Sequence, residues 1–127
     1  MADTDSPSPE SEPVDESTVT DRPVTIDDFA RLELRVAKVL SVEPHPKADR
    51  LYVLRIDGGE ERQIVAGVRP FMTPDELEGR SIVVVWNLAP AMIRGVESRG
   101  MMLAGQHGET IGVLGPQPEL PPGTRVR

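Results

Sequence analysis

The chain has 127 residues and a formal net charge of −7, and its length suits one domain built around one hydrophobic core. It contains no cysteine, which excludes disulfides, thiolate zinc sites and cysteine nucleophiles. No apolar run approaches the roughly 20 residues of a membrane span, and the first residues resemble no secretory signal, so we expect a soluble cytoplasmic protein.

Most of the negative charge lies in residues 1 to 25, "MADTDSPSPESEPVDESTVTDRPVT". This segment holds seven acids and one base, Arg22, so its net charge is −6 and that of the remaining residues is −1. It contains no aromatic residue and cannot bury enough apolar surface to offset the entropy cost of ordering. We therefore predict a disordered acidic tail over residues 1–25 and one domain over residues 26–127. Because the domain is nearly neutral, a polyanion partner is not excluded.

A short helical turn and a long strand are predicted after the tail. In "IDDFARL", Asp27 and Asp28 are favourably placed near the N-terminus of a helical turn. From Leu32 to Val42, apolar residues occupy alternate positions, interrupted by Lys38. This alternation predicts a strand whose even-numbered side chains form one buried face.

A hairpin and a helix come next. The alternation resumes in "RLYVLRID", where one face is formed by Tyr52, Leu54 and Ile56. Gly58-Gly59 then predicts a tight reversal into "RQIVAGV". In "TPDELEGR", Thr73 is the candidate cap, a proline and a glutamate follow at favourable positions, and Gly79 is the stop. This segment predicts a small helix.

The last part of the chain predicts a closing set of short strands. "SIVVVWN" is apolar on both faces, which is typical of a strand covered on both sides. "GMMLAG" and "TIGVLG" predict two more strands, and "PQPELPPGTRV" is a proline-rich extension that can add another. The order predicts an all-β OB-fold, a five-stranded Greek-key barrel with a short helix between strands 3 and 4 and a C-terminal extension. Another small barrel is the alternative.

Catalysis finds little support in the sequence. The two histidines, His45 and His107, lie in separate predicted loops, and no HxH or HExxH spacing argues for a metal. The chain has no P-loop and no GxGxxG, and no base is assigned to Ser98 by local spacing. We expect no enzyme activity, no catalytic residue, no metal and no cofactor, and we interpret His45 as a turn residue.

Several segments together resemble the tRNA-binding domain family, and they run from about Ile26 to the C-terminus. They are "IDDFARLELRVAKVLSVEPHPKADRLYVLRIDGG", "QIVAGVRPFMTPDEL", "VVVWNLAP" and "IRGVESRGMMLAG". Within them, "HPKADRL" is similar to a His-Pro-x-Ala-Asp-Lys/Arg-Leu signature, and "ESRGM" to a Ser-x-Gly-Met signature. The family includes the C-terminal domain of methionyl-tRNA synthetases and standalone tRNA-binding proteins. The resemblance implies an OB-fold, structure-specific binding to the outer corner of tRNA, a homodimer, and a methionyl-tRNA synthetase as candidate partner.

The resemblance also implies which residues contact RNA, and the chemistry of neighbouring side chains adds others. Of the 14 bases 12 are arginines, whose planar fork suits phosphate oxygens, although a composition bias explains such a preference equally well. The predicted contacts are Arg50, Asn87, Arg94, Ser98, Arg99 and Met101. Met101 has the alternative of filling the core, and Asn87 that of ending a strand through a backbone bond. Many relatives carry a basic residue where this chain has Met92, which predicts modest affinity.

Two alternative functions from other classes stay open. A secretion-related chaperone of the same fold would hold unfolded segments in a dimeric apolar groove. A scaffold in a synthetase assembly would have lost RNA binding altogether.

Overall fold

The computed structural model describes residues 22–127, and the chain divides into two units, Met1–Arg31 and Leu32–Arg127. The predicted disordered tail lies outside the described residues as far as residue 21. In the first unit, helix α1 covers Ile26–Ala30. Thr25 caps α1, because its hydroxyl accepts the Asp28 N–H at 3.1 Å while the Asp28 carboxylate accepts the Thr25 N–H at 3.2 Å. The predicted helical turn is confirmed.

The second unit is built mostly of short strands. Its elements are β1 (Leu34–Pro44), β2 (Tyr52–Asp57), β3 (Glu61–Ala66), α2 (Pro74–Leu77), β4 (Ser81–Val85), β5 (Ala91–Ile93), β6 (Val96–Ser98), β7 (Met101–Met102), β8 (Ala104–His107), β9 (Thr110–Val113) and β10 (Arg125–Val126). Helix α2 begins after Thr73 with a capping box to Glu76, as predicted. Among the residues that the structure describes, neither helix is long and apolar enough to cross a membrane.

The main sheet is antiparallel and curls into a half-barrel. Its strand order is β3-β2-β1-β4-β7, and β10 pairs with the start of β1. The residues that follow β6 connect the two edges of this sheet. The Arg99 N–H donates to the Gln63 carbonyl of β3 at 3.0 Å, and Met101 of β7 pairs with Val85 of β4. The prediction of an all-β fold with a short helix between the third and fourth strands is confirmed. The exact Greek-key arrangement of the OB-fold stays a prediction.

Strand β1 departs from the predicted alternation. Leu34 and Val36 are buried as expected, but Ala37 and Val39 are also buried, at 0% and 1% exposure, while Leu40 is exposed. A register shift between Val39 and Ser41 displaces the side chains by one position. Both faces are also covered, because Ala37 and Val39 pack in the core with Leu77 of α2, while Val36 lines a groove with residues of the C-terminal extension. The prediction of a single buried face of even-numbered residues is therefore wrong in the middle of the strand.

The core lies between the curled sheet and α2. The three apolar residues predicted on one face of β2 are buried at 4% exposure or less: Tyr52, Leu54 and Ile56. They pack in one cluster with Leu77 from α2 and Ile82 from β4. This packing fixes β1 and its neighbours, and with them the loops at both ends of β1.

Candidate functional site

Residues 91–98 form a tight hairpin. β5 pairs with β6 along their whole length and leaves Arg94-Gly95 as a two-residue turn. Both turn residues have positive φ, 52° at Arg94 and 90° at Gly95, as the type I′ turn of a hairpin requires. The sequence analysis predicts no strand in these residues, because three-residue strands are too short for their alternation to be recognised in sequence.

The turn of this hairpin lies against the loop that follows β1, which contains "HPKAD". An Arg94 guanidinium N–H donates to the Lys47 carbonyl at 3.2 Å. From a third segment, Arg69 donates to the Ala48 carbonyl at 3.3 Å. Arg50 and Arg94 line one open depression. We call the four cations that meet here the loop cluster: Lys47, Arg50, Arg69 and Arg94.

The loop cluster is not neutralised by ion pairs. None of its four cations forms an ion pair with a carboxylate among residues 22–127. Four other cations do form such pairs: Arg35 with Glu33 at 2.7 Å, Lys38 with Glu119 at 3.7 Å, Arg55 with Glu61 at 3.0 Å, and Arg62 with Glu60 at 2.9 Å. The loop cluster therefore presents positive charge to solvent, with Asp49 as the acid within the loop.

The other end of β1 carries arginines in a different environment. Trp86, which follows β4, is contacted by two guanidinium groups, with Arg62 at 4.0 Å and Arg35 at 4.8 Å from the ring centroid. The Arg62 guanidinium hydrogen-bonds Glu60 and attracts its charge, and so lowers the pKa of that carboxyl below its ordinary value. These guanidinium groups hold the β2–β3 turn to the end of β4 and are already matched by carboxylates.

The six predicted RNA contacts do not form one site. Arg50 and Arg94 belong to the loop cluster. Asn87 follows β4 next to Trp86, and its side-chain oxygen accepts the Glu33 N–H at 2.9 Å. Arg99 lies near Glu60 and lowers the pKa of that carboxyl, after the larger effect of Arg62. Asn87 thus lies at the Leu34 end of β1, where Val85 pairs with Leu34, whereas the loop cluster follows the Pro44 end.

Ser98 and Met101 differ in exposure. The Ser98 hydroxyl is buried, accepts the Val65 N–H at 3.0 Å and donates to the Gly100 carbonyl at 3.1 Å. The single hydroxyl hydrogen is therefore already donated within the protein. We assign Ser98 a structural role, in which it holds β6 against β3. Met101 is 47% exposed, whereas Met102 packs on the core, as alternation requires.

Sequence reasoning missed three residues of this region. His45, interpreted as a turn residue, is buried and hydrogen-bonded through both ring nitrogens. Lys47 lies within the "HPKADRL" signature, so the sequence contained a motif that pointed to it. Arg69 follows β3 without any local motif, and only the fold places it beside Ala48.

The side chains of this surface are suited to binding an anion more than to catalysing a reaction. Among the described residues, no group of three or more His, Cys, Asp and Glu side chains could hold a metal ion. None of the Phe, Tyr and Trp residues described in the second unit is exposed: Trp86 and Tyr52 are buried and Phe71 is half-buried. A surface with free guanidinium and ammonium groups and no exposed ring favours phosphate oxygens over stacked bases.

Comparisons with known proteins agree on one family. A family model described as "Putative tRNA binding domain" matches residues 34–125. The methionine–tRNA ligase of Thermococcus kodakarensis is 49% identical over 105 residues, which are 82% of this chain and 14% of that protein. The ligase of Thermotoga maritima is 49% identical over 104 residues, which are 81% of this chain and 16% of that protein. The chain therefore spans about one seventh of the length of these relatives.

Two solved structures share the fold. A "MetRS related protein" from Pyrococcus horikoshii superposes with a TM-score of 0.78 at 32% identity, over 84% of this chain and 99% of that one. A CsaA chaperone protein from Picrophilus torridus superposes with a TM-score of 0.77 at 25% identity, over 83% of this chain and 100% of that one.

Proposed function

The chain belongs to the tRNA-binding domain family, and from that premise we propose that it binds tRNA, without catalysing a reaction, through the loop cluster. One observation carries the proposal: four cations from three segments of the chain meet without an ion pair to any carboxylate among residues 22–127. Cations left unpaired at a surface are available to phosphate oxygens.

The absence of an exposed Phe, Tyr or Trp side chain among the described residues of the second unit supports recognition of shape over sequence. Structured RNA displays phosphates and 2′-hydroxyls, while its major groove is too narrow for side chains. Guanidinium groups can bond two phosphate oxygens at once, and an ammonium group adds charge without fixed geometry. We place the contact at the outer corner of tRNA, where the backbone is continuous and accessible.

We further propose that the chain acts in the cytoplasm as a homodimeric standalone module or as a subunit associated with methionyl-tRNA synthetase. A second tRNA contact on such an enzyme raises overall affinity by increasing the effective concentration of the first site. The ligase activity of the longer relatives lies outside this proposal.

The test compares two variants of the loop cluster with a matched control. We expect Arg50→Ala and Arg94→Ala each to weaken binding of fluorescein-labelled tRNA about tenfold at low salt. Each lost phosphate contact should lower the slope of log affinity against log salt by about 0.7 to 0.9. Arg55→Ala removes the same charge from a side chain that is 52% exposed and paired with Glu61, and should bind like the parent. Thermal unfolding should change little in all three variants.

The proposal fails if Arg50→Ala and Arg94→Ala bind tRNA as Arg55→Ala does. Competition by unlabelled tRNA at two salt concentrations then separates the remaining alternatives. Suppression of the aggregation of an unfolded protein without tRNA binding would favour the chaperone, for which Leu120, 39% exposed and lining a groove with Val126, is the candidate contact. Capture of a synthetase without tRNA would favour the scaffold.

A further inference from the structure

His45 occupies the base of the loop cluster, between two of its segments. Its side chain is buried, at 3% exposure. The Lys47 backbone N–H donates to Nδ1 of the ring at 2.9 Å, and Nε2 lies 2.9 Å from the Ile93 carbonyl, one residue before Arg94. One ring therefore joins the loop after β1 to the turn of the β5–β6 hairpin.

These two contacts determine the tautomer of the ring. A backbone N–H can only donate, so Nδ1 must be unprotonated to accept it. A carbonyl oxygen can only accept, so Nε2 must carry the hydrogen that it donates to Ile93. His45 is thus a neutral imidazole whose two nitrogens have opposite, fixed roles.

We propose that His45 is a positioning residue for tRNA binding, whose Nε2–H bond to Ile93 holds Arg94 and Lys47 in one arrangement. The inference rests on the proposed function of the loop cluster. The main chain alone closes the loop locally, since the His45 N–H donates to the Leu51 carbonyl at 3.0 Å. The bond to Ile93 is what connects that loop to the separate hairpin, alongside the exposed and more easily lost Arg94–Lys47 bond at 3.2 Å.

Two substitutions separate the two ring contacts. His45→Asn places an oxygen near the position of Nδ1, so it keeps the acceptor for Lys47 and removes the bond to Ile93. His45→Gln places an amide N–H near the position of Nε2, so it keeps the bond to Ile93 and removes the acceptor. We expect His45→Asn to weaken binding of labelled tRNA about tenfold and His45→Gln to stay within about threefold of the full-length parent.

A double-mutant cycle with Arg94→Ala tests whether His45 acts through Arg94. If the ring positions Arg94, then Arg94→Ala should weaken binding much less in the His45→Asn background than in the parent. The effect of Arg55→Ala should be unchanged in that background. Nitrogen NMR of the imidazole, with His107→Gln to assign the signals, should show a protonated Nε2 and an unprotonated Nδ1.

The outcomes separate the role of His45 from the proposed binding of tRNA. Binding by His45→Asn like the parent, equal loss in His45→Gln, additive effects with Arg94→Ala, or an Nδ1–H tautomer would each overturn the role of His45 alone. Failure of the parent to bind tRNA would overturn the proposed function and this inference with it.

Discussion

Arg94 holds a backbone conformation that side chains rarely adopt, with φ at 52°. A left-handed conformation at a residue other than glycine costs about 1 to 2 kcal/mol. Asparagine tolerates this region better, and Asn-Gly is the preferred pair for a two-residue hairpin turn. The arginine is therefore not explained by turn geometry, and its guanidinium group, which bonds to Lys47, is the property that distinguishes it at this position.

Replacing Arg94 by asparagine separates backbone preference from charge. We expect Arg94→Asn to raise the free energy of unfolding by about 0.5 to 1 kcal/mol. The same variant should weaken tRNA binding about tenfold, because the cation is lost. Urea unfolding and fluorescence anisotropy measure the two effects. Arg94→Lys, which keeps the charge, should bind more tightly than Arg94→Asn without gaining stability, and the reverse order would contradict the argument.

At the scale of elements, the β2–β3 turn depends on contact with the Trp86 ring. A Cβ atom added to Gly58 would lie 2.5 Å from Cζ3 of that ring. Arg35 also holds this turn, since its guanidinium donates to the Gly58 carbonyl at 2.8 Å. Because Trp86 is buried and contacted by two guanidinium groups, neither side of the contact can give way easily.

Gly58→Ala should therefore destabilise the fold by about 1 to 3 kcal/mol, as overpacking does. Chemical unfolding followed by Trp86 fluorescence measures the change. Gly105→Ala is the matched control, because a Cβ there meets nothing within 4 Å. Under native conditions both variants should bind tRNA like the parent, since this turn lies at the other end of β1 from the loop cluster. Weaker binding by Gly58→Ala would show that the two ends are coupled.

What the sequence could predict depended on how local the determining interactions are. Alternation identified the buried face of β2, and Thr73, Pro74 and Glu76 identified α2, because neighbouring residues determine both features. The burial of Ala37 was missed because it depends on packing with residues such as Leu77 of α2, which lies far along the chain.

The same distinction applies to the site. Arg50, within the "HPKADRL" signature, and Arg94 stay predicted RNA contacts, but nothing in the sequence places them in one depression or separates them from Asn87 and Arg99. The burial of Ser98 likewise depends on a contact with Val65, 33 residues away. Local motifs indicate which functional groups are present. The fold determines which of them lie close together and which already form hydrogen bonds within the protein.

At the scale of the whole molecule, net charge opposes the proposed partner. The chain carries −7, and residues 1 to 22 contribute −6 of that total. Long-range repulsion between these acids and RNA lowers the association rate and the affinity, and salt screens it. The proposed binding through the loop cluster must therefore act in spite of this charge, through contacts at short range.

Deletion of residues 1–22 should leave the fold intact and strengthen tRNA binding about threefold at low ionic strength. The gain should shrink as salt is added, because screening removes the repulsion. Anisotropy titrations of the parent and the truncated chain at two salt concentrations measure it. Weaker binding, or loss of the cooperative unfolding transition, would contradict the predicted role of the tail.

Strand β10 lies beside the first residues of β1, with Val126 directly opposite Leu34. Opposed residues of an antiparallel pair are about 5 Å apart, so the second unit starts and finishes at nearly the same point. That point is at the Leu34 end of β1, whereas the loop cluster follows the Pro44 end. A carrier protein fused to either terminus of this unit would be tethered on the side away from the cations, and the docking surface would stay accessible to a large ligand.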